Sequence, residues 1–406
     1  MTTDSRFVVV GGGLAAAKLA EALRDNDFGG ALTVISAEEH LPYERPPLSK
    51  EHLLGKKALP EFTVDPAQWY RDHNVDLRLG TTVTAIDRAS KTVALPDGST
   101  VSYDKLALAT GSRPRRLPLP GADAEGVYEL RTIEDSDALI ALFDSIRHVA
   151  IIGAGWIGLE VAAAARTAGV EVTTLETEPV PLHAALGAEM GEVFAELHRS
   201  HGVDLRCGVK AAEIVTADGR ATGVKLDDDT VIEADAVLIA VGARPNVELA
   251  ADAGLDVDGG VLVDESLATV DPDIVAVGDI AAQQHPVLGR RIRVEHWANA
   301  LNQPAVAART MLGKPATYDR LPYFFTDQYD LGMEYTGYVA PDQDATVVVR
   351  GDLGKREFLA FWLDSGNRVL AGMNVNIWDA GDRIKELIAS KQPVDPKRLA
   401  DTAETL

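Results

Sequence analysis

Two short glycine-rich segments, each set between an apolar run and a helical pattern, restrict this chain to folds that bind dinucleotides. The first, Gly11-Gly12-Gly13-Leu14-Ala15-Ala16, follows Phe7–Val10. The second, Gly153-Ala154-Gly155-Trp156-Ile157-Gly158, follows Val149–Ile152. In each, one glycine permits the tight turn, and the next lets backbone N–H groups approach a pyrophosphate at the helix N-terminus. One such match is weak evidence. Two in the right context, 142 residues apart from Gly11 to Gly153, imply two dinucleotides in one molecule. That arrangement suits an enzyme that passes electrons from one to the other.

Around these turns the chain alternates between strand and helix patterns. Phe7–Val10, a helix over Leu14–Arg24 and Leu32–Ile35 open it. Three prolines within Leu41–Leu48 mark a loop or helix entry. A β-rich stretch follows at Leu77–Leu79, Thr82–Asp87 and Thr92–Leu95, with a hairpin signal at Asp97-Gly98. Leu106–Ala109 reads as a buried strand, and Pro114, Pro118 and Pro120 as a linker. From Val127 the pattern restarts, with a helix over Gly158–Ala168, a strand over Glu171–Leu175, a hairpin signal at Ala217-Asp218-Gly219 and a strand over Ala236–Ala240. The two halves read as copies of one unit. Ile274–Val277 with Gly278-Asp279 returns the chain to the first domain, and a long helix lies near Glu295–Met311. From Tyr323 onward a strand-rich pattern ends in a helical stretch at Ile384–Ala389.

Composition narrows the function classes. At 406 residues the chain suggests two or three domains. A net charge of −23 argues against nucleic acid as the main partner, because phosphate binding needs a basic surface. No run of 18 apolar residues exists, so no membrane span is expected, and the short N-terminus before the first strand points to a cytoplasmic protein. Cys207 is the sole cysteine, which excludes an intrachain disulfide and a Cys-rich metal site. The histidines show no metal-ligand spacing, and no metal site is expected.

Further motifs, in their order, resemble the two-dinucleotide flavoprotein reductases. These are Pro46-Pro47-Leu48-Ser49-Lys50, Ala109-Thr110-Gly111-Ser112-Arg113-Pro114, Gly153–Glu160, Val241-Gly242-Ala243-Arg244-Pro245-Asn246, Val277-Gly278-Asp279-Ile280 and Thr326-Asp327-Gln328-Tyr329-Asp330. The likeness is greatest to the putidaredoxin reductase-like family of NADH-dependent ferredoxin reductases, which serve cytochromes P450 and other oxygenases. The resemblance implies an α/β fold with two Rossmann-like, glutathione-reductase-like domains and a C-terminal α+β domain. It implies FAD in residues 1–113 and 244–321, NAD in residues 114–243, and the third domain in residues 322–406. It also implies hydride transfer from NADH to FAD and single electrons passed to an iron–sulfur ferredoxin, of 2Fe-2S type, serving a P450 or dioxygenase.

The site residues follow from the same resemblance. Gly11, Gly13, Leu14, Ala15 and Ala16 would hold the FAD pyrophosphate, Ala16 standing where a third glycine is usual. Ser36 occupies the position of the ribose carboxylate, which leaves the Ala37 backbone and Glu38 or Glu39 to serve. Arg45, Lys50, Val83, Ala109, Thr110, Gly111, Arg131, Gly278, Asp279, Glu295, His296 and Trp297 complete the FAD set. A cation such as Lys50 stabilises the anionic reduced flavin. Gly153, Gly155, Trp156, Ile157, Gly158, Glu160, Glu176, Val241 and Gly242 would hold NAD. Glu176, 23 residues after Gly153, suits the ribose 2′-OH, and Thr177–Leu182 offer no Arg or Lys for a 2′-phosphate, so NADH is favoured. Lys50 and Glu160, the catalytic pair, are expected to meet across the domain interface beside the nicotinamide. Alternatives on the same scaffold are a rubredoxin reductase or an NADH oxidase, and outside enzymes an FAD-binding signalling protein. For ferredoxin docking, the basic candidates are Arg290, Arg291, Arg293, Arg309, Lys314 and Arg320.

Overall fold

The computed structural model describes residues 4–406. The chain divides into two compact units. One gathers the residues up to Glu44, Leu59–Arg113 and Arg244–Tyr323. The other gathers Arg45–Ala58, Pro114–Ala243 and Phe324–Leu406.

In the first unit a five-stranded parallel sheet runs in the order Ile274–Ala276, Lys105–Leu108, Arg6–Val10, Ala31–Ile35, Val75–Arg78. Phe7–Val10, the centre of that sheet, is buried throughout, as a strand covered on both faces should be. The helix Leu14–Asp25 follows it at once and buries Leu14, Ala15, Ala16, Ala17, Leu19, Ala20 and Leu23. Small residues in its first turns let it lie close to the sheet. A second, antiparallel sheet takes Ala85–Asp87, Thr92–Ala94 and Thr100–Ser102, with Gly98 in the left-handed region at the hairpin. The strand expected over Thr82–Asp87 is confined to Ala85–Asp87. Thr84 still donates to the Ala94 carbonyl, but regular pairing begins one residue later.

The second unit repeats the plan. Its parallel sheet runs Asp204–Cys207, Glu171–Glu176, His148–Ile152, Ala236–Ile239, Val127–Tyr128. A three-stranded antiparallel sheet, Ala211–Ala217, Arg220–Leu226 and Val231–Glu233, accompanies it. The repeats differ in the source of the fifth strand. In the first unit it comes from chain far downstream, Ile274–Ala276. In the second it comes from chain just upstream, Val127–Tyr128. Ile133–Phe143 forms a helix that the sequence reading passed over. Its signal was present: Thr132 and Asp135 make a reciprocal capping box. The C-terminal part builds a five-stranded sheet in the order Tyr323–Gln328, Leu331–Gly337, Val369–Val375, Glu357–Leu363, Thr346–Asp352. The helix Gly381–Ser390 covers it through Ile384 and Ile388.

Candidate dinucleotide sites and a buried ion pair

The first glycine turn sits where the central strand of its sheet gives way to helix. Gly11 has φ +132°, and a Cβ there would run into the Ala109 carbonyl. The turn is thereby pressed against the end of the neighbouring strand, and Thr110 and Gly111 continue from that end. Gly12 leaves no room for a side chain beside Ser36. Gly13 differs. It is the helix N-cap at φ −92°, and nothing lies within 4 Å of where its Cβ would stand. No side chain caps this helix, and no acid occupies its first turn. Exposed amides and an uncompensated dipole are what a pyrophosphate requires. Gly278 closes on the same place, a Cβ there meeting Ala15 Cβ at 3.4 Å. Asp279 follows it, so the expected ribityl acceptor stands beside the expected pyrophosphate turn.

The other members of this set are spread around the first unit. Ser36 is buried, its hydroxyl hydrogen-bonded to both the carbonyl and the N–H of Glu38. Ala37 is exposed and Glu38 accepts a hydrogen bond from Tyr43 Oη at 2.6 Å. Val83 is buried. Thr110 exchanges two bonds with Asn246, at 2.7 and 2.9 Å. Arg293 donates to the Asp279 carbonyl at 3.1 Å and pairs with Glu295. His296 occupies the N-cap position of the helix Trp297–Met311 without a side-chain capping bond, and burial draws its pKa down to about 4, so the ring is neutral near pH 7. Trp297 Nε1 donates to Glu44 at 3.2 Å.

The second turn has the same architecture. Gly153, at φ +105°, faces the Ala240 carbonyl and touches Val241, while Gly158 packs on the Gly153 carbonyl. Gly242 follows at φ +100°. Gly155 is again the open N-cap, at φ −78° with nothing within 4 Å, no capping side chain and no first-turn acid. Trp156 turns inward onto Phe194, and Ile157 is exposed. Glu176 ends its strand against this turn: one carboxylate oxygen accepts the Ala154 N–H at 2.8 Å, the other the Glu178 N–H at 3.0 Å. The expected ribose acid therefore also braces the backbone of the turn it serves.

Lys50 and Glu160 meet, but within one unit and not across a boundary between domains, because Arg45–Ala58 belongs with Pro114–Ala243. Lys50 follows the 3-10 turn Pro46–Ser49, and Glu160 lies one turn into the helix Trp156–Thr167. Nζ stands 3.0 Å from Oε1, with 10% and 6% of the two side chains exposed. Two hydroxyls join them that the sequence reading did not assign. Thr326 Oγ1 donates to Oε1 at 2.6 Å, and Ser49 Oγ donates to Oε2. The Lys50 ammonium also stands 5.1 Å from the centre of the Phe325 ring. Arg45 donates to the Arg131 carbonyl, and the Arg131 N–H is held by Asp135.

Arg291, Arg309, Lys314 and Arg320 of the basic patch are exposed and also make local hydrogen bonds. Arg291 donates to the Val263 and Ala282 carbonyls, Arg309 to the Pro315 carbonyl, Lys314 to Asn26 and Arg320 to Asn302. These charges tie local backbone and side chains together. Among the described residues no cluster of three metal-capable side chains occurs, and no helix is long and apolar enough to cross a membrane.

Comparison with known proteins places this geometry. Residues 5–303 match the pyridine nucleotide-disulphide oxidoreductase family, and residues 323–406 match a reductase C-terminal domain. The anthranilate 1,2-dioxygenase system ferredoxin--NAD(+) reductase component of Burkholderia cepacia is 42% identical over 395 residues, 97% of each chain. Rhodocoxin reductase of Rhodococcus erythropolis is 39% identical over 396 residues, 98% of this chain and 92% of that one. The crystal structure of the covalent putidaredoxin reductase-putidaredoxin complex is similar at a TM-score of 0.94 and 35% identity, over 99% of this chain and 97% of that one.

Proposed function

Since the chain belongs to the pyridine nucleotide-disulphide oxidoreductase family and carries the reductase C-terminal domain, we propose that it is an FAD-dependent NADH:ferredoxin oxidoreductase. It takes hydride from NADH and delivers single electrons to an iron–sulfur ferredoxin, of 2Fe-2S type, that serves a cytochrome P450 or other oxygenase. The observation that carries this is the pair of open, uncapped glycine turns, one per unit, in a chain whose sole cysteine cannot form a redox disulfide. Relatives named as ferredoxin reductase components of oxygenase systems support the partner class. We place the protein in the cytoplasm, where NADH is available.

In this reading residues 1–113 and 244–321 hold FAD, residues 114–243 hold NADH, and residues 322–406 form the third domain. Bound FAD supplies a centre that accepts two electrons together and releases them singly. The chain's own residues bind and orient. The Gly11–Ala16 amides take the FAD pyrophosphate and Asp279 a ribityl hydroxyl. The Gly153–Gly158 amides take the NADH pyrophosphate, and Glu176 the ribose 2′-OH. Lys50 keeps a positive charge available as negative charge builds, and Glu160 holds that ammonium in one place. No group has to act as general acid, which fits the lack of a His or Cys constellation.

The test is cytochrome c reduction by NADH with and without an added 2Fe-2S ferredoxin. Rapid reduction only with ferredoxin is expected. Equal rates without it, with oxygen consumed, would replace this reading with an NADH oxidase. Cofactor choice gives a second check. A carboxylate at Glu176 and no cation over Thr177–Leu182 should favour NADH over NADPH in kcat/KM by roughly tenfold or more, about 1.4 kcal/mol. Steady-state rates with the two cofactors measure this, and parity would remove Glu176 from its role.

A further inference from the structure

Glu160 is the end of a longer hydrogen-bonded chain. Thr326, Gln328 and Phe324 alternate along Tyr323–Gln328 and so share one face of that strand. Phe324 packs on Trp156, with ring centres 4.8 Å apart. Two residues on, Thr326 donates to Glu160 Oε1 at 2.6 Å. After two more, Gln328 Nε2 donates to Thr326 Oγ1 at 3.1 Å. Gln328 Oε1 then meets His198 Nε2 at 2.8 Å, on the helix His183–Ser200. His198, Thr326 and Gln328 are each no more than 1% exposed.

The chain has a direction. Gln328 Oε1 can only accept, so His198 must carry its proton on Nε2. Gln328 then donates to the Thr326 oxygen, and the Thr326 proton is left to point at Glu160. His198 Nδ1 has no hydrogen-bond partner among the described residues. Buried acceptors are left without a partner somewhat more often than buried N–H groups are. The opposite tautomer would strand a proton on Nδ1 and reverse the amide, and the Thr326 hydroxyl would turn from Glu160 to Gln328. Burial keeps His198 neutral, its pKa drawn down to about 4, so it also does not bring a second proton.

We propose that Thr326, Gln328 and His198 are positioning residues for the Lys50–Glu160 pair: the Nε2–H tautomer of His198 sets a one-way hydrogen-bond chain that fixes the Glu160 carboxylate and, through it, the Lys50 ammonium. This rests on the functional reading above and extends it to the first strand of the C-terminal domain. That strand is then part of the machinery for flavin reduction as well as the edge of its sheet. It acts through Glu160.

The test uses the FAD-loaded enzyme. Thr326→Val keeps the branched shape and removes the hydroxyl, whereas Thr326→Ser keeps the hydroxyl. In stopped-flow with NADH, Thr326→Val should lower the limiting rate of flavin bleaching by about tenfold, the worth of one hydrogen bond to a charged group, with the NADH concentration at half-maximal rate unchanged. Thr326→Ser should restore the rate. On a Glu160→Gln background Thr326→Val should have little further effect, because the two act as one unit. Independently of turnover, 15N NMR of the His198 ring, identified by its loss in His198→Gln, should show a neutral, Nε2-protonated ring at pH 7. A wild-type rate in Thr326→Val, an undiminished effect on the Glu160→Gln background, or an Nδ1-protonated ring would overturn the proposal alone. Absence of bleaching in the wild type would overturn the functional reading, and this one with it.

Discussion

Gly13→Ala should give a folded protein that has lost most of its FAD, and Gly155→Ala a folded, yellow protein that binds NADH poorly. Both glycines have backbone angles that alanine adopts freely, and neither has an atom within 4 Å of the new methyl group. The fold itself therefore has no reason to object, and N-cap Gly→Ala costs it at most about 1 kcal/mol. Only a ligand lying on the turn would meet the methyl group. Displacing a pyrophosphate from one charge-assisted amide costs about 1.5–3 kcal/mol, roughly 10- to 150-fold in affinity. Flavin content on gentle purification reads the first variant, and NADH titration of flavin bleaching reads the second. Gly11→Ala and Gly158→Ala serve as contrasts, since their methyl groups would strike the Ala109 and Gly153 carbonyls and damage the turn itself. Normal FAD content in Gly13→Ala would move the cofactor away from the first turn.

Glu160→Leu should destabilise the protein more than Lys50→Met, and the double variant should recover most of the loss. The pair is buried, and removing one partner leaves the other without its counter-charge, at a cost of about 3–5 kcal/mol. The two halves are not equivalent. Without Lys50, Glu160 keeps the hydroxyls of Ser49 and Thr326. Without Glu160, the Lys50 ammonium keeps the Phe325 ring and the attraction of the Asp327 carboxylate. Replacing both by apolar side chains removes the uncompensated charge. Urea midpoints of the three variants give the order. The same Lys50→Met protein should reduce its flavin at least roughly tenfold more slowly at saturating NADH, with binding little changed, if the charge acts in the transition state. Unaltered stability and an unaltered limiting rate together would make the pair incidental.

Much of the architecture was legible because its signals are local. An apolar run, a glycine turn and a small-residue helix specify a strand–turn–helix unit from neighbouring residues alone, and Phe7–Asp25 and Val149–Thr167 fold as their patterns indicate. The hairpins at Gly98 and Gly219 announced themselves through residues suited to positive φ. The helix Ile133–Phe143 carries a local signal as well, the capping box of Thr132 and Asp135. Glu176 stands at the end of its strand, where its spacing from Gly153 puts it, but its hold on the Ala154 N–H needed coordinates. The arginines expected at a docking face are a different case. Charge is visible in a sequence, but the local bonds a guanidinium makes are not, and Arg291, though exposed, donates to the Val263 and Ala282 carbonyls.

The sequence by itself determined that this chain carries two glycine-rich turns between strand and helix, a single cysteine and an acid 23 residues after Gly153, because each depends on residue type at short spacing. Tertiary structure alone decided what surrounds the central ion pair. Ser49 lies 111 residues from Glu160, and Thr326 lies 166 residues from it, yet both donate to the same carboxylate. Tertiary structure also decided that one repeat borrows its fifth strand from downstream and the other from upstream. The physical reason is the same in each case. A turn or a cap is stabilised by its own neighbours, whereas a buried carboxylate or a sheet edge is satisfied by whichever residue packing delivers, and sequence separation carries no trace of that choice.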